Sequence, residues 1–240
     1  MESYDIYELM IIPPNKKAEM IAWEIGKPEL NQNLVNDLII LGANLDWQSN
    51  DGMSALHYCV VSNHLEIARM LIDAGADVNI QDEYGWTALH WCASRNHQEI
   101  AMMLIDAGAD LDLQDDREWT ALYFCAFENR PEIARMLIDA GADLNIQDGG
   151  DWTSLHLCAR LNRPEIARIL IEAGADVNIQ DNQGLTALHY CARENRLDIA
   201  RMLLDAGGDK TIPNNDGRIP YELMPYDLIG NSELQELLKV

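Results

Sequence analysis

The chain has 240 residues, a formal net charge of −23 and 48% hydrophobic residues. That apolar fraction is enough to bury a core, which excludes a disordered acidic tail. With 17 Lys and Arg against 40 Asp and Glu, a basic face for phosphate contacts is not expected, so nucleic acid is excluded as a direct ligand. No apolar run reaches the ~18 residues that a membrane-spanning helix needs. The N-terminal MESYDIYELMIIPPNKK lacks a basic segment followed by an apolar one, and the C-terminal LLKV is not a lipidation box. No secretory leader, membrane partner or lipid anchor is therefore expected.

In chain order, residues 1–15 contain Pro13-Pro14 and show no periodic pattern. An extra packing segment and a short binding tail are both open for them. Residues 16–48 align with the second half of a repeat unit, since Gly42-Ala43-Asn44-Leu45-Asp46 mirrors a segment that recurs further along the chain. A first helix is expected around Ala18–Ile25. Residues 49–81, 82–114, 115–147, 148–180 and 181–213 are five full copies of one unit. Positions 52, 85, 118, 151, 184 and 217 advance by 33, and so do Cys59, Cys92, Cys125, Cys158 and Cys191. A fixed period of this length marks a stacked repeat architecture.

Each copy reads as turn, helix, turn, helix. In the second, Thr87 is the N-cap of a helix over Ala88–Arg95, and Asn96 ends it in the left-handed conformation that Asn tolerates. A second helix over Glu99–Ala107 places Ile100, Met103, Leu104 and Ala107 on one face. Pro131 and Pro164 stand at second-helix starts, where a missing N–H costs nothing. Gly108 terminates the helix, and an extended finger with a turn leads to the next copy. Residues 214–240 begin a sixth copy at Gly217-Arg218-Ile219-Pro220-Tyr221-Glu222 and finish it at Glu233–Leu238, about two residues late.

A 33-residue turn-plus-two-helix unit with Thr87, Leu89, His90 and Ala93 in register resembles the ankyrin repeat family. Ala-Gly-Ala-Asp-Val-Asn at 74–79 and 173–178 matches as well. The resemblance is strong over 49–213 and weaker towards both ends. It implies an all-α ankyrin-repeat solenoid of 33-residue units in a single domain over 1–240, with atypical N- and C-terminal capping repeats, since a terminal repeat must face water on one side. One departure is systematic: the family's Thr-Pro is Thr-Ala here, except at Ile219-Pro220. Ala is a good helix former, so the fold is expected to be kept.

Five cysteines and six histidines invite a metal or redox reading, and the spacing argues against it. Equivalent residues of stacked helices lie roughly 8–10 Å apart, too far for a disulfide or a shared metal. The cysteines read as small buried hydrophobes, and unpaired thiols favour a reducing compartment. A cytoplasmic location is expected, or a host cytosol for a delivered protein. The resemblance implies a structural, backbone-bonding role for His57, His90, His156 and His189, with Tyr123 in the remaining place. His64 and His97 are expected at the surface. No cofactor, metal or catalytic group is expected, and the protein is read as a non-enzyme. Glu66, Arg69 and Asp73, echoed at 132, 135 and 139, suggest a salt-laced helix face.

The resemblance also implies a concave target-binding face built from the finger residue before each Thr, residues just before the Gly position of the finger, such as Tyr84 and Arg117, and residues near the end of the first helix, such as Phe127 and Glu128. In this chain the face comprises Met53, Tyr84, Trp86, Arg95, Arg117, Trp119, Glu128, Trp152, Arg160, Leu185, Arg193, Glu194 and Arg218. These positions vary while the rest of the unit repeats, and Trp, Tyr and Arg are over-represented in binding hot spots. Two readings stand for Trp86, Trp119 and Trp152: anchors for a partner, or inter-repeat packing. Trp91 aligns with Tyr58, Phe124, Leu157 and Tyr190 and reads as core. The expected function is reversible binding of another protein by a chain that is monomeric when free. The alternative is an acidic inhibitor or sequestering protein that blocks a basic target such as a nuclease or toxin.

Overall fold

The structure is a computed structural model describing residues 6–225 and 233–240. The chain divides into two compact units, 1–116 and 117–240. The first contains α1 (Ile6–Met10), α2 (Pro14–Ile25), α3 (Gln32–Ile40), α4 (Ala55–Ser62), α5 (Leu65–Asp73), α6 (Ala88–Arg95) and α7 (Gln98–Asp106). The second contains α8 (Ala121–Glu128), α9 (Pro131–Asp139), α10 (Ser154–Leu161), α11 (Pro164–Glu172), α12 (Ala187–Glu194), α13 (Leu197–Asp205), a 3₁₀ turn (Pro220–Leu223) and α14 (Glu233–Leu238).

In the first unit α2, α4 and α6 pack as one row, and α3, α5 and α7 as a second. In the second unit the rows are α8, α10, α12 and the 3₁₀ turn, and α9, α11, α13 and α14. The second helices show why the rows hold: Ile67, Ala68 and Leu71, and their equivalents Ile166, Ala167 and Leu170, are buried at the i, i+1, i+4 spacing of one helix face. Burying each Ile or Leu contributes about 1.5–3 kcal/mol. All five cysteines are free and buried between the rows, and burial pushes the thiols of Cys59, Cys125, Cys158 and Cys191 up. A small side chain there lets the helices approach, which fits their reading as small hydrophobes.

The Ala88–Arg95 helix falls where expected, capped by the Thr87 hydroxyl and ended by Asn96 at φ 63°. Asn63, Asn129, Asn162 and Asn195 end the equivalent helices with φ between 55° and 60°. Second helices start one residue earlier than the sequence predicts, at Gln98 rather than Glu99, with His97 as N-cap. The first helix of the N-terminal cap starts at Pro14 rather than Ala18, because Pro at the first helical turn loses no bond. Of residues 1–15, Ile6–Met10 form α1, which inserts Leu9 into the protein and leaves Ile6, Tyr7 and Met10 exposed, as is Ile11 just after it. In the cap, buried Lys17 donates to the Leu41 carbonyl at 2.7 Å, a cation at the end of α3.

The expected salt-laced face is not paired: among the described residues no ion pair within 4.0 Å joins Arg69 to Glu66 or Asp73, or Arg135 to Glu132 or Asp139. Exposed pairs of this kind gain little over separate hydration. Arg201 instead reaches across to Glu233 on α14. The two late residues of the sixth copy lie outside the described residues.

Candidate functional site

The finger carboxylates organise each turn. Asp82 accepts the Tyr84 and Trp86 backbone N–H groups through Oδ1, at 2.9 and 3.0 Å. Asp148 does the same for Gly150 and Trp152, and Asp181 for Gln183 and Leu185. The second oxygen takes a ring donor: Trp91 Nε1 on Asp82 at 3.0 Å, Tyr123 Oη on Asp148 at 2.6 Å, and Tyr190 Oη on Asp181 at 2.5 Å. Burial and hydrogen bonding hold the Tyr123 and Tyr190 phenols well above the usual range, so both remain protonated donors.

Histidine ties each helix start to the next finger. Nδ1 of His57, His90, His156 and His189 accepts the N-cap backbone N–H at 3.0–3.1 Å. The proton of the neutral ring is therefore on Nε2. From there it is donated to the carbonyls of Trp86, Leu185 and Arg218 by His57, His156 and His189, at 3.0–3.2 Å. Burial lowers the pKa of these three rings and keeps them neutral. Tyr123, in the histidine position of the third copy, reaches the next finger through Asp148 instead. Glutamine adds a ladder that periodicity alone did not single out. Gln48, Gln81, Gln147 and Gln180 each donate to a carbonyl of their own finger and to one of the next.

The tryptophans belong to this scaffold. Trp86 is half-buried, packs edge-on against Trp91 at 4.8 Å, and donates Nε1–H to Asp115 at 3.0 Å. Trp119 lies among Tyr123, Phe124 and Phe127 with centroids 4.8–5.3 Å away. Trp152 packs on Tyr190 at 4.5 Å. Trp91, read as core, is half-buried: its N–H reaches Asp82, Trp86 packs against it and Arg95 lies over its ring. Leu185, placed on the partner face by the sequence reading, is buried at 4% exposure: an aliphatic side chain in the tryptophan position folds inward and is withdrawn from the surface.

The surface presents arginines stacked on aromatic rings, beside exposed acidic finger residues such as Glu83, Asp116, Glu118 and Asp151. In the first unit the Arg95 guanidinium lies 5.2 Å over Trp91, with Tyr84 61% exposed at the finger and Met53 half-buried. In the second unit Arg117 lies over Trp119, Arg160 over Trp152 and Arg193 over Tyr190, at 5.5, 5.1 and 4.7 Å. Phe127, which the sequence reading pairs with Glu128 near the end of the first helix, is 41% exposed beside Trp119. Half-buried Glu128 and Glu194 lie near Arg130 and Arg193 at 3.9 and 3.3 Å, and exposed Arg218 pairs with Asp216 at 2.8 Å. His64 is not free at the surface: it is half-buried and bonds the Ile25 carbonyl at 3.1 Å. Arg163 and Arg196, in the same register, reach back to the carbonyls of Phe127 and Arg160.

The family model for ankyrin repeats, in three overlapping copies, matches residues 19–115, 75–148 and 141–214. The chain therefore belongs to the ankyrin-repeat family, and its fold is the all-α ankyrin solenoid. Ankyrin repeats are generally protein–protein interaction modules. Among solved structures, the ankyrin repeat domain of Bcl-3, described as a unique member of the IkappaB protein family, superposes with a TM-score of 0.82 at 23% identity. The match covers 96% of this chain and 99% of that one, and at this identity it speaks to the fold alone. No curated protein sequence matches the chain.

Proposed function

We propose that the protein is a non-catalytic binding module whose finger and first-helix surfaces, in each unit, take an acidic segment of another protein. The observation that carries this reading is the set of guanidinium-on-ring stacks at Arg95, Arg117, Arg160 and Arg193. A guanidinium laid on a ring loses little further freedom on binding and still offers N–H pairs at its edge, a fork that fits a carboxylate. Exposed Tyr84 and Phe127 supply the apolar contact beside them. The half-buried tryptophans support the stacks from below, so both readings of the indoles contribute: they pack the fingers and shape the surface.

Charge reversal separates this reading from the acidic-inhibitor alternative. The chain carrying Arg95→Glu, Arg117→Glu and Arg160→Glu is used as bait beside wild type, with Arg135→Glu/Arg168→Glu on exposed second-helix positions as control. Loss of a wild-type partner from the triple variant alone supports an acidic segment on this face. Tighter capture by the triple variant supports a basic target and overturns the proposal.

A further inference from the structure

Large apolar side chains are exposed unevenly along the chain. Among the described residues ten are exposed, and six of them, Ile6, Tyr7, Met10, Ile11, Trp23 and Ile40, belong to the N-terminal cap. Their exposures run from 51% at Ile6 to 84% at Ile11. Together they equal about four whole side chains, or roughly 800 Å² at ~200 Å² each. The largest apolar patch on a typical monomer is about 300–600 Å². A capping repeat ordinarily turns a polar face to water. The other cap does so: α14 exposes Glu233 and Glu236, with Lys239 exposed just after it.

Hydrogen bonds gather these residues. The Ile12 N–H closes on the Leu9 carbonyl at 3.3 Å, so Met10 and Ile11 sit at the turn into α2. The Asn44 N–H donates to the Pro14 carbonyl at 3.1 Å, and Lys17 Nζ to the Leu41 carbonyl at 2.7 Å. Both hold the end of α3, with Ile40, against the start of α2. Trp23 lies on the side of α2 opposite buried Ile21, with the Lys27 ammonium 3.6 Å over its ring. The charge of the segment is as unusual as its polarity. Residues 6–28 carry Lys16, Lys17 and Lys27 against Glu8, Glu19 and Glu24, a net charge of zero in a chain of −23. Lys16 pairs with Glu19 and Lys27 with Glu24 inside the cap.

We infer that this face docks a second copy of the chain, N-terminal cap to N-terminal cap, in an isologous dimer. Charge and area both select a copy over an unlike partner. A second copy carries −23 of its own, so the two repel except where charge is absent, and the apolar face is neutral. An unlike partner gains from opposite charge, which this face does not offer. A standard interface takes about 800 Å² from each partner, which one such face supplies. Head-to-tail pairing would set the apolar face against the charged residues of α14. The isologous contact uses the same face twice and closes. The dimer replaces the expected free monomer and is independent of the acidic-segment reading.

Analytical ultracentrifugation of the full chain tests it, from about 1 to about 300 µM and at about 50 and about 500 mM NaCl. A monomer–dimer equilibrium in the micromolar range is expected, tighter at the higher salt because repulsion between the copies is screened. Met10→Lys/Ile11→Lys and, separately, Ile40→Lys replace exposed side chains. Each should weaken dimerisation by roughly tenfold or more and keep a cooperative melt. Tyr84→Lys/Phe127→Lys, at exposed apolar positions outside the cap, should leave it unchanged. If the Met10/Ile11 variant loses its cooperative melt, Ile40→Lys, which lies outside α1 and its turn, decides alone. A wild-type chain that stays monomeric throughout overturns the inference, as does a ladder of larger species or a dimer that weakens with salt. So does a dimer that persists in a folded cap variant or is lost with Tyr84→Lys/Phe127→Lys.

Discussion

At the residue scale, aromatic side chains at neighbouring positions have opposite duties. Trp152 packs on Tyr190 at 4.5 Å with Arg160 above it. Replacing it by Ala removes a half-buried ring, and stability should fall by about 2 kcal/mol, less than the ~3–5 kcal/mol of a fully buried one. Tyr84, 61% exposed, should cost no more than ~0.5 kcal/mol on truncation. Thermal melts of the two variants check the contrast, and equal shifts would show that one of the two placements is wrong. Tyr190→Phe is a third case. It strips the 2.5 Å donor from buried Asp181, so a loss of about 1.5–3 kcal/mol is expected in denaturant titrations although the ring is kept.

At the element scale, the helices were legible because the pattern repeats: Thr caps, Asn stops and the Ile-Ala-x-x-Leu stripe recur every 33 residues. The side-chain roles were less so. Whether a finger tryptophan faces out or across depends on the acceptor offered by the following finger, as Asp115 does for Trp86, and that partner lies 29 residues away. Leu185 is buried for a different reason: an aliphatic side chain has no polar edge to bring outward, and position alone does not carry that. The early end of the last inner turn had a signal in Pro225, which has no N–H to continue a helix, but its packing consequences cannot be read from the sequence alone. The left-handed stops make a prediction here. Asn162 sits at φ 59°, so Asn162→Ala should cost about 1 kcal/mol while Asn162→Gly stays near neutral. Chemical denaturation of both variants measures it, and equal losses would remove the conformational explanation.

At the scale of the whole molecule, charge and protonation set the conditions under which the fold holds. A net charge of −23 works against compactness, so added salt should raise the melting temperature at pH 7.5 by screening. The histidine ladder adds a pH dependence of known sign. His57, His156 and His189 have folded pKa values below the ordinary 6.5 because burial disfavours the charged ring. Between the two values the unfolded chain binds protons that the folded chain does not. Stability from these rings is complete above pH 6.5 and falls as the pH drops below it, while most carboxylates are still ionised. Melts at fixed ionic strength from pH 7.5 to 5 should show this decline, with the imidazole NMR signals of the folded protein reporting Nε2–H. A flat or rising profile would contradict the ladder.

Another protein is proposed to bind on the surfaces that carry the arginine-capped rings in each unit. The most direct measurement replaces Tyr84 or Phe127 by a photo-reactive phenylalanine in the source cell, with Arg135 and Arg168 as positions on the second-helix surface. A discrete protein adduct is expected from position 84, from position 127 or from both, and none from 135 and 168. An adduct formed only from the second-helix positions would contradict this and move the binding surface to the second helices.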